Sequence, residues 1–280
     1  MRTFAIVAAG GMGSALAMRL TSNGARVVTL LEGRSESSRK RAAAADMVDA
    51  GEAGLLEAEL ILSVVPPDQA LPLAQRLAPL LSAASHKPAY VDCNAISPQS
   101  LKEVEAIIAA SGAAFVDGGI IGLPPKPGNA GPTLYVSGPF GAKAAALNEF
   151  GLPVAVLDAP NGAASALKMS YAGITKGLIA LAATMALAAE RAGVSEALKA
   201  ELRKSQPNLA ESFSKSLPDM LGKARRWVPE MNEIAGFIDA VRPESGAYRA
   251  FAALYGNIAD ADAATLALLR DFYVADRPVA

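Results

Sequence analysis

The residues able to do chemistry lie in three places along the 280-residue chain. The first is Ala8-Ala9-Gly10-Gly11-Met12-Gly13, a glycine run that follows an apolar stretch. Glycine at Gly10 lets a backbone approach a phosphate, and glycine at Gly13 lets a following helix lie tight on the strand before it. The N–H groups at the start of such a helix face the anion. The second place is Glu32, Arg34, Ser35, Ser37, Arg39 and Lys40. A guanidinium with nearby hydroxyls suits a phosphate monoester, whereas Glu32 stands where an acid accepts ribose hydroxyls. The third is Lys168, with Tyr171, Ala172, Thr175 and Lys176 following at helical spacing, so that all five share one face. Two lysines, a tyrosine and a threonine beside an apolar run suit proton transfer to a small polar molecule. The competing reading is two lysines snorkelling from a surface helix.

The elements that must hold these residues follow from hydrophobic pattern. Residues 2–8 read as a buried parallel strand feeding the glycines, 14–23 as a helix stopped by Gly24, 26–31 as a second strand and 37–50 as a helix. A third strand over 60–65 ends at Pro66-Pro67, which forbid its continuation. A helix over 69–81, a strand over 89–93, a helix over 99–110 and strands over 114–117, 133–137 and 154–157 complete the series. After Asp158 no strand is expected. Residues 163–192 read as one long helix, followed by helical segments over 195–216, 218–241 and 263–272. The expected architecture is α/β: a Rossmann-type doubly wound parallel sheet over residues 1–160, then an all-helical carboxyl-terminal domain over 161–280.

A strand, glycine turn, helix and strand in this order form the setting of a dinucleotide site, with Gly10, Gly11, Met12 and Gly13 as its contacts. Ala8 replaces the first glycine of the usual pattern, so the turn must avoid a positive φ there. The charges of Arg34 and the hydroxyl of Ser35 favour NADP, and Glu32 leaves NAD as the alternative. Asn94 follows the strand over 89–93 at its carboxyl end, where ligands of open α/β sheets gather. It is a candidate contact to the cofactor or the substrate, or a turn residue.

Composition removes other classes. With 26 basic and 27 acidic residues the chain has no broad positive field, which argues against nucleic-acid binding. One cysteine and one histidine cannot form an internal disulfide or a His- or Cys-rich metal site, so no metal is expected. Cys93 reads as a small buried hydrophobe and His86 as a solvated loop residue. That leaves lysine as the leading acid/base. Residues 177–189 are apolar all round yet short of the roughly 18 residues needed to span a bilayer. Their burial against the first domain or a second subunit is the expectation, giving a homodimer with no membrane insertion. The opening stretch imitates a secretory signal only in outline, because its glycines make a poor signal helix, and a cytoplasmic location is expected.

Several stretches resemble the β-hydroxyacid dehydrogenase family, which includes 3-hydroxyisobutyrate and 6-phosphogluconate dehydrogenases. Residues 9–13 look like the family's G-x-G-x-M-G, Ser63-Val64-Val65-Pro66 like its strand-ending cofactor contact, and residues 91–98 like D-x-S-T-x-x-P. The substrate segment D-A-P-V-S-G-G is met in outline by Asp117-Gly118-Gly119-Ile120-Ile121-Gly122, with Ile121 where the serine stands. The pattern G-x-x-x-x-x-K-x-x-x-N is met by Gly162 and Lys168, but Ala172 replaces the asparagine that holds the substrate. The stretch 226–234 looks like a divergent subgroup.

The resemblance implies that Val64, Val65 and Pro66 contact cofactor, that Gly119, Ile120 and Gly122 line the substrate site, and that Lys168 is catalytic. The expected activity is NADP(H)-dependent hydride transfer to or from a small polar or anionic alcohol or carbonyl compound, such as a hydroxyacid. Tyr171 or Thr175 would replace the lost asparagine, Lys176 would attract an anionic group, and Trp227 would either close the pocket or pack in the core. Imine reductases share the architecture but usually replace the lysine. An imine reductase-like enzyme and a non-catalytic NADP(H)-sensing protein are the alternatives.

Overall fold

The computed structural model describes residues 1–125, 129, 131–239 and 241–273. They form two compact units, Met1–Met169 and Ser170–Ala280. The first holds one sheet built from β1 (Thr3–Val7), β2 (Arg26–Thr29), β3 (Met47–Asp49), β4 (Leu60–Ser63), β5 (Ala89–Asp92), β6 (Phe115–Ile121), β7 (Thr133–Ser137) and β8 (Val154–Val156). Their order is β3-β2-β1-β4-β5-β6-β7-β8, the doubly wound arrangement with β1 inside.

The strands read as unbroken apolar runs because both sheet faces are covered. Phe4 and Ile6 of β1 join one buried cluster with Leu16 and Leu20, while Ala5 and Val7 point into another with Leu73 and Leu77. The first face is covered by α1 (Gly11–Ser22), α2 (Glu36–Ala44) and a 3-10 segment (Gly141–Phe150), and the second by α3 (Gly51–Leu55), α4 (Ala70–Ala83) and α5 (Pro98–Ala110).

Two features of the sheet depart from the pattern expected. The expected helix over 37–50 stops at Ala44, and Asp46, at φ 52°, turns the chain into β3, which pairs with β2. β7 runs antiparallel to β6, so the sheet is parallel except at this pair. The connection over 122–132 is too short for a crossover helix, since parallel neighbours need a dozen residues or more.

The helix α6 (Ala163–Arg191) begins in the first unit and continues into the second. Its first turns therefore belong with the sheet, later than the boundary expected at residue 160. At 29 residues it is long and apolar enough to cross a membrane by length and composition, a test that core helices of soluble proteins also pass. The short apolar run expected over 177–189 is thus only part of it.

The second unit adds α7 (Ser195–Ser205), α8 (Pro207–Leu221), α9 (Ala224–Ile238), α10 (Ser245–Ala259) and α11 (Ala263–Asp271). The single helix expected over 195–216 is broken before Pro207. Pro218 and Pro229 lie within α8 and α9, where the fixed φ of proline is already helical and each costs one N–H donor. Trp227 of α9 meets Tyr255 of α10 edge to face at 5.2 Å, and the Tyr255 hydroxyl donates to the Lys176 carbonyl at 2.6 Å.

Candidate active site

The glycine turn lies at the carboxyl end of β1. The Gly10 N–H donates to the Ala8 carbonyl at 2.9 Å, and the Gly10 carbonyl accepts from the Ser14 amide and hydroxyl at 2.9 and 2.7 Å. Ala8 has no positive φ, so its Cβ is tolerated. A Cβ on Gly13 would stand 2.0 Å from the Ala8 oxygen, which explains why this position must be glycine. A Cβ on Gly10 or Gly11 would meet nothing within 4 Å: the turn is open on that side. No side chain caps the amino terminus of α1, leaving its first N–H groups to an anion. Met12 packs on the core beneath. Arg41, which the sequence analysis did not single out, donates from Nε to the Ala9 carbonyl at 3.0 Å and from Nη2 to Ser38 Oγ at 3.0 Å, tying α2 to the turn.

Beside the turn is a cavity of about 280 Å³ lined by Ala8, Leu30, Glu32, Arg34, Val65 and Arg76, among others. Glu32 and Arg34 thus share one pocket. Arg76, a further residue the pattern did not reveal, reaches it from α4, 2.5 Å from Glu52 and 3.5 Å from Glu32. Ser35 caps α2, its hydroxyl accepting from the Ser38 amide at 3.3 Å. Open glycines, an uncapped helix start and an apolar pocket rimmed by two arginines fit the diphosphate and adenosine end of a dinucleotide.

Val64 is fixed by backbone bonds to Val7 and Ala8, and Pro66 leads into a 3-10 turn over Pro67–Gln69. Asn94 is buried. Its Oδ1 accepts from the Val65 amide at 2.7 Å, and its Nδ2 donates to Ser63 Oγ at 2.8 Å and Asp92 Oδ2 at 2.9 Å. Both amide hydrogens are used inside the protein, so Asn94 shapes the site by holding Val65 in place. Asp92, also buried, is pushed up to about 7, chiefly by burial and further by the nearby Asp117 carboxylate, against two hydrogen bonds from Asn94. Burial also pushes the Cys93 thiol well up, which keeps it a thiol.

Lys168 lies one turn into α6, and its Nζ donates to the Ile120 carbonyl on β6. Helix and strand approach closely here because Gly119 lacks a Cβ, which would stand 2.7 Å from the Ala164 oxygen and 3.2 Å from Lys168 Cβ. Gly122, at φ 127°, turns the chain out of β6 where a side chain would strike Pro132. β6 is parallel to β5, and β5 to β4 and β1, so Ile120 and the glycine turn lie at the same carboxyl edge of the sheet. Gly119, Ile120 and Lys168 therefore come together at the carboxyl edge of the sheet, where open α/β sheets in general take their ligands.

In the helical unit, Tyr171 is exposed, and Thr175 Oγ1 donates to the Tyr171 carbonyl at 2.9 Å. Lys176 is ion-paired with Glu230, both largely buried, and its ammonium lies 5.2 Å from the centre of the Trp227 ring. Its charge has a carboxylate partner that spacing along the helix did not reveal. Trp227 is buried in the core of this unit, and His86 is an exposed loop residue.

The profile of the NAD-binding domain of 6-phosphogluconate dehydrogenase matches residues 3–151, more than half of the chain. The chain belongs to the β-hydroxyacid dehydrogenase family. Residues 189–258 match a domain of unknown function. No curated protein matches the chain. Among solved structures, a conserved protein of unknown function described as structurally similar to 3-hydroxyacid dehydrogenases is 29% identical, with a TM-score of 0.70 over 98% of this chain and 100% of that one. A Mycobacterium tuberculosis 3-hydroxyisobutyrate dehydrogenase solved with L-serine is 17% identical, TM-score 0.67, over 96% and 98% of the two chains. An imine reductase from Myxococcus stipitatus solved with NAD+ is 22% identical, TM-score 0.56, over 96% and 99%. The last two share the fold. Family membership makes the first unit an NAD-binding domain and gives the open turn its ligand class.

Proposed function

We propose that the protein is an NADP(H)-dependent oxidoreductase that interconverts a small polar alcohol and its carbonyl compound, with Lys168 as the acid/base. The observation that carries this reading is the Lys168 ammonium at the same sheet edge as the open glycine turn. Bound at the turn, the dinucleotide supplies a carbon that gives or takes hydride. Gly10 to Gly13 would hold its diphosphate, and Arg34 and Arg76, which line the pocket, with Ser35 next in sequence to Arg34, would receive a 2′-phosphate, while Glu32 is countered by Arg76. Lys168 gives a proton to the substrate oxygen in reduction and takes it back in oxidation. The carbonyl of Ile120 fixes where the ammonium stands.

The substrate class is small and polar, with a hydroxyacid as the leading member, and Thr175 and Tyr171 stand along the same helix as the lysine. Lys176 would meet an anionic substrate group only by sharing its charge with Glu230. A cytoplasmic location accompanies this reading. So does a homodimer: Tyr171, Ile174, Leu178, Leu181 and Met185, each 44–65% exposed, recur at alternating intervals of three and four, a seam suited to a second copy of α6.

The test is NADPH oxidation followed by absorbance against a panel of aldehydes, ketoacids and cyclic imines, repeated with NADH. Turnover of a carbonyl acid, with kcat/KM favouring NADPH, is expected. Turnover of cyclic imines alone would assign imine reduction. Cofactor binding with no turnover would assign a sensor, and a tenfold or greater preference for NADH would overturn the 2′-phosphate assignment.

A further inference from the structure

We propose that Asp117 is the positioning residue for Lys168, holding the first turns of α6 on β6 and so fixing where the ammonium stands; its catalytic meaning rests on the reading of Lys168 as the acid/base. Asp117 lies on β6 and is fully buried. Its Oδ2 accepts from Ser137 Oγ at 2.7 Å, from the Gly162 and Ala164 amides at 2.9 Å each and from the Ser165 amide at 3.2 Å, while its Oδ1 accepts from Ser165 Oγ at 2.6 Å. In all five contacts the carboxyl oxygens of Asp117 are the acceptors. Three of the donors are amides at the amino end of α6, the groups a helix leaves unsatisfied, and that end favours negative charge.

The neighbouring Pro160 carbonyl takes the Ala163 amide at 3.3 Å, whereas the carboxylate cap on the other three amides comes from a strand far back along the chain. It therefore joins helix to strand at one point, and Lys168 is bound to the same strand three residues further on, at Ile120. Gly119, between them, removes the Cβ that would push helix and strand apart. The carboxylate cap, the glycine contact and the lysine bond are successive points along one strand. Losing the first frees the helix end that sets the third.

The direct test is limited acylation of the full-length protein with acetic anhydride, read at each lysine by peptide mass spectrometry. In Asp117→Asn an amide keeps the shape but turns an NH2 toward donors. Lys168 should then acylate about tenfold faster or more, while Lys87, likewise bonded to backbone carbonyls in the same unit, and exposed Lys40 stay within about twofold. Ser165→Ala, which removes a single donor, should act in the same direction and serves if Asp117→Asn does not fold. Unchanged Lys168, or Lys87 rising in step with it, overturns the proposal.

In turnover, Asp117→Asn should lower kcat by about 10²-fold with an unchanged cofactor Kd, and add no further loss to Lys168→Ala. Additive losses would also overturn it. Retained turnover in Lys168→Ala alone would instead defeat the acid/base reading and leave the acylation result standing.

Discussion

Single residues decide how this sheet edge is electrically set. Asp92 and Asp117 are fully buried register partners on adjacent strands, and Asp117 is surrounded by five donor contacts. Asp92 is held toward its neutral form, pushed up to about 7 chiefly by burial. The folded protein thus binds more protons than the unfolded chain between about pH 4 and 7, since a free aspartate titrates near 3.9. Its contribution makes stability greatest at the acid end of that window and lower as pH rises through 7. The difference in Tm between wild type and Asp92→Asn should move against wild type from pH 5 to 7.5, as read by thermal melts; a pH-independent difference would contradict it. The sequence made Lys168 visible by its spacing and by the lack of any better acid/base. It hid the partners of Asn94 and Lys176, because Val65 and Glu230 arrive from distant segments and leave no local pattern.

At the scale of elements, the glycine turn and α1 were legible because their chemistry is local. Two glycines there have separable jobs. Gly13→Val drives a side chain into the Ala8 carbonyl, so it should cost about 1–3 kcal/mol in chemical denaturation and weaken NADPH binding. Gly10→Ala meets no protein atom within 4 Å, so fluorescence titration should find weaker NADPH binding with Tm unchanged. Equal loss of stability in both variants would contradict this division. Elements that depend on remote pairing were less legible. β3 is three residues long and exists because β2 offers it an edge, and the direction of β7 follows from how few residues separate it from β6. α10 contains Gly246 and Gly256, which weaken local helix preference, and forms because Ala252, Tyr255 and Ile258 bury one face.

For the molecule as a whole, the family assigns an NAD-binding unit followed by helices, and α6 runs from one unit into the other. Its exposed seam leads to a prediction at this scale. Wild type should sediment as a dimer at micromolar concentration and Ile174→Glu combined with Leu178→Glu as a monomer; a monomeric wild type would remove the proposed assembly. The central claim is that Lys168 moves the proton while the glycine turn holds the dinucleotide. The most direct measurement is kcat for Lys168→Ala beside its NADPH Kd, with the substrate that wild type turns over best. The account predicts kcat lower by about two to four orders of magnitude with Kd unchanged. Turnover retained in that variant would contradict it.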